Sequence, residues 1–118
     1  MSRKLDAAIA RALGRKVEFK NLGEYGVNLF YADQTSPFAL VPHYSNDGNA
    51  MLELEKEMRA RGYKMYIQPG ALFRVTFIKE EDIFEFDDLT EIEVWAETMP
   101  FAAALAAYKA LTGKEWSE

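Results

Sequence analysis

The residues best suited to chemistry lie in the stretch VPHYSNDGNAMLEL, positions 41 to 54. It holds the only histidine of the chain, His43, with Ser45 and Asp47 at alternate positions. A serine, a histidine and an aspartate are the groups of a nucleophilic triad. Residues two apart along a loop rarely aim at one reacting atom, however, and a triad is defined by geometry rather than by proximity in sequence. We therefore expect no enzymatic activity, with an enzyme of an unrecognised class as the open alternative.

The same stretch carries the signals of a helix start. Ser45, Asn46 and Asp47 are all good N-cap residues, because their side-chain oxygens accept from the N–H groups of a first helical turn. From Met51 onward, apolar residues recur three and four positions apart, which predicts an amphipathic helix over 48–61. Capping explains most of the polar cluster, although free N–H groups at a helix start also favour an anion.

The residue types of the chain give little support for a metal or cofactor site. The chain has one histidine and no cysteine, so only the carboxylates of residues 80–97 remain as ligands. The stretch EEDIFEFDD lacks the spacing and the central glycine of a calcium loop. The turn candidate GEYG is too short for a phosphate-binding loop and opens no helix. We expect no metal and no cofactor.

Three strand-like segments place aromatic and basic side chains on one predicted face. The segments YKMYIQ, LFRVTFI and TEIEVWAE alternate apolar and polar residues, so each strand buries one side. The polar side then carries Tyr66, Arg74 and Trp95, which suit stacking and anion contact. With the helix start, they predict a binding site for a small anionic, nucleotide-like ligand, formed by Tyr44, Ser45, Asn46, Tyr66, Arg74 and Trp95. The alternative is that the first helix or a second subunit covers this face.

The remaining elements must position these residues. SRKLDAAIARALG predicts a first helix, capped by Ser2 and ended by Gly14. Strand-like pieces at 17–22 and 27–32 flank the turn candidate GEYG, and a loop follows at 33–38. We predict one α+β domain over residues 1–118, an alpha-beta sandwich. In it an antiparallel sheet of about five strands packs with three helices, in the order α-β-β-α-β-β-β-α.

The predicted last helix is rich in alanine. It starts at Thr98 or Met99, has Pro100 in its first turn, and ends at Gly113. Its predicted apolar stripe consists of Phe101, Leu105, Tyr108 and Leu111 or Thr112. The alanines between them keep the helix thin, so that it can lie close against a sheet or against a second copy of itself.

Composition indicates a packed, soluble domain. Of the 118 residues, 49% are hydrophobic and 28% are charged. No apolar run approaches the ~20 residues that a membrane span needs. The N-terminus shows no apolar signal region, and there is no cysteine for a disulfide framework. We expect a cytoplasmic protein that does not enter membranes.

The charges are distributed unevenly along the chain. Residues 1–20 hold six basic and two acidic residues, a net charge of +4, and the other 98 residues carry −9. Residues 80–97 hold nine carboxylates and no base. An acidic body repels phosphate backbones, so binding to nucleic acid is not expected. The basic segment suits an acidic partner surface, including another copy of the chain, although charged runs also form ordinary solvated faces.

Three stretches resemble one family of small phage proteins. LDAAIARALGRK, PHYSNDGNAMLELEKEMRARGY and AETMPFAAALAAYKALTG resemble, in this order, motifs of the phage ABA sandwich domain family. Arg15 stands where that family usually has tryptophan. The family pattern is matched at Pro42, Tyr44, Ser45, Asp47, Gly62, Thr98 and Pro100. The resemblance implies a phage or prophage origin, an infected or lysogenic bacterial host, and a role without catalysis.

Three functions remain for such a protein. The first is sequestration of an anionic nucleotide-type signal by a homo-oligomer, by analogy of context with the Thoeris anti-defence sponge proteins. The second is a protein–protein module that blocks or adapts a host factor, which the uneven charge suggests. The third is RNA binding, since residues 48–112 follow the order of double-stranded RNA-binding domains. Those domains need bases at the start of their last helix, and TMPFAAALAAY has none before Lys109, which disfavours this reading.

Overall fold

The computed structural model describes residues 3–32, 40–80 and 89–117. The predicted order of elements is confirmed. The helices are α1 (Arg3–Ala12), α2 (Gly48–Ala60) and α3 (Met99–Thr112). The strands are β1 (Val17–Asn21), β2 (Val27–Tyr31), β3 (Tyr63–Gln68), β4 (Phe73–Glu80) and β5 (Leu89–Ala96). The predicted cap Ser2, the loop 33–38 and the acidic residues 81–88 lie outside the described residues.

The strands form two antiparallel sheets rather than one. β1 pairs only with β2, and β3, β4 and β5 form a separate sheet with β4 in the centre. The prediction of a single sheet of about five strands was therefore wrong. A single bridge between Phe30 and Leu40 is the only extension of the β1–β2 pair among the described residues. In the sequence, α2 separates β1 and β2 from the other three strands. Local turn signals therefore could not show whether the two groups of strands form one sheet.

Helix α3 is the centre of the core. It packs against α1, α2, β4 and β5, with neighbours on more than one side. Its fully buried residues are five alanines: Ala102, Ala103, Ala104, Ala106 and Ala107. The predicted stripe of Phe101, Leu105 and Tyr108 is only partly buried, at the margins of the alanine face. Small side chains let the sheet and α1 approach the same helix closely, which explains why the larger residues lie at the sides.

Local signals account for the helix ends. Asp47 caps α2 by accepting from the N–H of Asn49 at 3.2 Å, and Thr98 caps α3 by accepting from the N–H of Phe101 at 3.4 Å. Gly113 ends α3 with a φ of 73°, a left-handed conformation that favours glycine. In the described part of the chain, no helix combines the length and the hydropathy that a membrane crossing requires.

A buried carboxylate joins the first helix to the start of the second. Asp6 is 1% exposed, and its Oδ1 accepts from the backbone N–H of Ser45 at 2.9 Å. Its Oδ2 accepts from the guanidinium of Arg3 at 2.7 Å. Arg3 also donates to the carbonyl oxygens of Val41 and Pro42. The pair therefore ties the segment that leads into α2 to the first helix.

Removing this carboxylate is expected to destabilise the fold. Asp6→Ala would leave a buried N–H of Ser45 without its acceptor and Arg3 without its counter-charge, at a cost of about 3 kcal/mol in the free energy of unfolding. Asp6→Asn keeps an acceptor for Ser45 and should cost less. Urea titration followed by circular dichroism measures both, with Glu18→Ala as a control at an exposed ion pair. An Asp6→Ala variant as stable as the control would contradict the role assigned to this carboxylate.

Candidate functional site

The outer face of the three-stranded sheet carries the predicted aromatic and basic residues. Helices α2 and α3 cover only the opposite face, where Val75 and Phe77 are completely buried. Strand register arranges the outer face in three rows across β3, β4 and β5. The rows are Gln68–Arg74–Trp95, Tyr66–Thr76–Glu93 and Lys64–Ile78–Glu91. The predicted alternation of these strands is thus confirmed.

Two aromatic rings stand open on this outer face. Tyr66 and Trp95 are each 54% exposed. Thr76 of the central strand, which lies in register between Tyr66 and Glu93, is only 7% exposed. Leaving half of an indole in water forgoes roughly 2 kcal/mol of burial. Within the described residues, neither α1 nor any other element closes over these rings.

Arg74 is held between an aromatic ring and a carboxylate. Its guanidinium carbon lies 5.6 Å from the centroid of the Trp95 ring, directly across the β4–β5 pair. Its Nη1 lies 3.3 Å from Oε1 of Glu93. Arg74 and Glu93 are both more than a third exposed, at 39% and 41% of their side chains. A pair so exposed contributes about 0–1 kcal/mol, so a ligand anion can displace the carboxylate at little cost.

A shallow cavity of about 320 Å³ adjoins the indole of Trp95. Its other wall is the turn between β3 and β4, Gln68 to Leu72. Pro69, Ala71 and Leu72 make this wall largely apolar, and Leu72 is exposed to solvent. A volume of this size lies at the lower end of the range for small-molecule sites. The turn and the indole together form a slot with Arg74 in the same row.

Tyr44 and Ser45 do not belong to this outer face. Both are buried, and Tyr44 belongs to the core on the helical side of the sheet. The Tyr44 hydroxyl lies 3.3 Å from that of Tyr31, and the N–H of Ser45 is taken by Asp6. The six predicted binding residues are therefore not brought together. Tertiary contacts with α1 and β2 draw Tyr44 and Ser45 inward, which local spacing does not reveal.

The start of α2 is also poorly suited to an anion. Asn46 is exposed, but the carboxylate of the next residue, Asp47, already accepts from the first turn. A negative charge at that position repels a second anion and uses the N–H that would bind it. This half of the predicted site therefore acts as a helix cap.

The other candidate chemistry does not converge either. Ser45 is buried while His43 and Asp47 are exposed, so the serine, histidine and aspartate of one loop point to different environments. The carbonyl oxygen of His43 accepts from the N–H groups of Asn46 and Asp47, which makes the segment a turn. Among the described residues, no three His, Cys, Asp or Glu side chains lie together as a metal site requires.

Two features of the outer face were absent from the sequence prediction. The pairing of Glu93 with Arg74 is the first, and it depends on strand register. The apolar turn at Leu72 lies beside Trp95 for the same reason. The period of two in β5, which puts Glu93 and Trp95 on one face, is the available signal for the first. Nothing local signalled the second.

Comparison with known proteins gives no relative. No family model matches the chain, and neither a curated protein nor a solved structure matches it. The resemblance to the phage ABA sandwich family therefore stays a prediction.

The buried side chain of Tyr44 should make stability depend on alkaline pH. Burial, and then the hydrogen bond with Tyr31, raises the pKa of Tyr44 well above its ordinary value. The unfolded chain releases this proton above about pH 10 while the folded chain keeps it. The contribution of Tyr44 is then complete below pH 10 and falls above it by up to about 1.4 kcal/mol per pH unit.

Tyr44→Phe tests this dependence. At pH 7 the variant should be less stable by about 1 kcal/mol, because the hydrogen bond with Tyr31 is lost. At pH 11 the deficit should shrink or reverse, since phenylalanine has no proton to release. Urea titrations at both pH values measure the difference, with Tyr66→Phe as an exposed control. An equal deficit at pH 7 and pH 11 would show that Tyr44 does not cause the dependence.

Proposed function

We propose that this protein is a non-enzymatic binding protein that sequesters an anionic, nucleotide-type signalling molecule on the outer face of its three-stranded sheet. The observation that carries the proposal is the row formed by Arg74 and Trp95, with the slot beside the indole. Together these groups offer a ring to stack on and a cation for a phosphate. A nucleotide has both a planar base and a phosphate, and is therefore the ligand class that we propose.

The planar part of the ligand is assigned to the slot. A nucleobase stacks on Trp95 and contacts Leu72 and Pro69 of the β3–β4 turn. Stacking of a base on an aromatic side chain contributes about 1–3 kcal/mol and tolerates different bases. The amide of Gln68 lines the same slot and supplies donors and an acceptor for a base edge.

The phosphate is assigned to Arg74. The guanidinium gives up a surface pair with Glu93 of at most about 1 kcal/mol and gains a charge-assisted contact of about 1.5–3 kcal/mol. Lys64 and Tyr66 are exposed on the same face, one or two rows away. A ligand with a second phosphate or a second base reaches these residues.

Sequestration follows from binding alone and needs no catalytic group. It agrees with the phage or prophage origin that the sequence resemblance implies, and with action in the cytoplasm of a bacterial host. A homo-oligomer would multiply the number of sites per complex.

Isothermal titration calorimetry against cyclic mono- and dinucleotides and ADP-ribose isomers tests the proposal. At least one of these ligands should bind and quench Trp95 fluorescence. Arg74→Ala should lower the affinity for that ligand by about 10- to 100-fold. Arg59→Ala is the matched control, since Arg59 is an exposed arginine paired with Glu55 on α2. Absence of heat with every ligand, or equal losses in the two variants, would refute the assignment.

Glu93→Gln should change affinity in the opposite direction. The amide removes the charge that competes for Arg74, so the nucleotide that binds the wild type should bind about two- to five-fold more tightly. Glu53→Gln removes an equal charge from an exposed position of α2 and serves as the control. Calorimetry at low and moderate salt measures both variants. Weaker binding by Glu93→Gln would place the phosphate elsewhere.

A further inference from the structure

The outer edge of β5 is one of the two edges of the three-stranded sheet, and a cavity lies beside it. The three-stranded sheet has the order β3-β4-β5, so β5 pairs on one side only. Among the described residues, no strand and no backbone hydrogen bond occupies its other side. Its eight residues extend for about 27 Å, and alternate residues present their N–H and C=O groups outward. Such an edge is a template for another strand.

A groove runs along this edge on the helical side. Its cavity of about 340 Å³ is bounded by consecutive residues of β5, Glu93 to Trp95, and by α3. Leu105 and Lys109, one helical turn apart, form the α3 wall. An edge strand with a partly apolar groove beside it is the arrangement in which extended peptides add to a sheet and place every second side chain in a pocket.

The far wall of the groove is held in place by an aromatic contact. Trp116 follows the end of α3 and packs edge-on against Tyr108, with ring centroids 5.2 Å apart and an angle of 82°. Lys109 and Glu115 lie 3.5 Å apart at the mouth of the groove. Trp116 therefore forms one wall of the groove. Val94, Leu105 and Trp116 supply the apolar part of its lining, beside the charged residues Glu93, Lys109 and Glu115.

The charge of the edge decides what fits it. Glu91 and Glu93 project from the outer face of β5, and both are exposed. In an added strand, side chains facing outward lie beside these carboxylates, and side chains facing inward enter the groove. Opposite charges stabilise neighbouring strands and like charges destabilise them. A suitable strand thus alternates basic and apolar residues.

A second copy of the chain fits this edge poorly. Antiparallel pairing of β5 with itself would bring the carboxylates of Glu91 and Glu93 next to those of the other copy. Acidic side chains on an edge also act against self-association in general. The same charges do not act against a basic partner. Charge complementarity therefore selects a different protein as the occupant.

We propose that β5 binds an extended segment of another protein, in which basic and apolar residues alternate, as a fourth strand of the sheet. The backbone of the segment pairs with the outer edge of β5. Its apolar side chains enter the groove lined by Leu105 and Trp116, and its basic side chains lie beside Glu91 and Glu93. This surface adjoins the nucleotide slot, since Trp95 lines both cavities.

A synthetic nine-residue peptide of alternating lysine and valine, capped at both ends, is the probe. Titration into nucleotide-free protein should quench Trp116 fluorescence and slow amide hydrogen exchange at residues 91–96. The same peptide with an N-methyl group on every backbone amide nitrogen cannot donate a hydrogen bond along either edge and should bind at least about ten-fold more weakly. A peptide of equal composition with the lysines grouped at one end tests for simple charge attraction.

Variants of the protein test the contributions of the acidic side chains of β5 and of the groove to peptide binding. Glu91→Lys should lower the affinity for the parent peptide several-fold. Glu53→Lys, an equal charge change on α2, should leave that affinity unchanged. Trp116→Ala removes a wall of the groove and should weaken binding at unchanged circular dichroism. In a peptide with tyrosine in place of one valine, the tyrosine ring should show nuclear Overhauser effects to the side chain of Leu105.

Several results would overturn the proposal. N-methylated or grouped peptides that bind as tightly as the parent would exclude strand addition. Exchange protection outside β5 would place the peptide elsewhere. Free protein that is dimeric in analytical ultracentrifugation, with the amides of residues 91–96 already protected, would show that a second copy occupies the edge.

Discussion

The alanine face of α3 is the constraint on which the rest of the structure depends. The helix has the three-stranded sheet and α1 as neighbours, so side chains larger than alanine on Ala103 or Ala107 would separate them. A close-packed interior transmits such a change, because it has few voids in which to accommodate it. The larger residues Leu105 and Tyr108 are consequently displaced to the margins. There Leu105 lines the groove beside β5, and Tyr108 packs against Trp116, which lines the same groove.

Concentrating the helices on one face of the sheet leaves the other face to solvent. An antiparallel sheet tolerates this arrangement because its outward residues are polar. Here the outward set includes Tyr66 and Trp95, whose rings are costly to expose, beside an arginine whose ion pair is weak. The fold needs neither the exposed rings nor the arginine, since the buried side of β4 supplies its share of the core through Val75 and Phe77. Because the fold does not require these side chains for its stability, we assign the binding function to this face.

The sequence predicted those features that depend on neighbouring residues. The period of two in β3, β4 and β5 separated Tyr66 and Trp95 from the buried residues correctly. Caps among Ser45, Asn46 and Asp47 and at Thr98 or Met99 were predicted because a cap acts within three residues. The structure has them at Asp47 and Thr98. The prediction placed Ser45 wrongly because its partner is Asp6, 39 positions away, and no local pattern reports such a contact. The division into two sheets was missed for the same reason.

The two proposed surfaces share Glu93, and this has a thermodynamic consequence if both are occupied. Glu93 neutralises Arg74 in the unbound protein. A basic side chain of an added strand would offer the carboxylate a second partner and weaken its hold on the guanidinium. The phosphate of a nucleotide would then meet a more available cation. Because coupling between two binding sites is reciprocal, the nucleotide would strengthen binding of the strand by the same factor. The size of this coupling is limited by the Arg74–Glu93 pair itself, about 0–1 kcal/mol, which corresponds to at most about five-fold in either affinity.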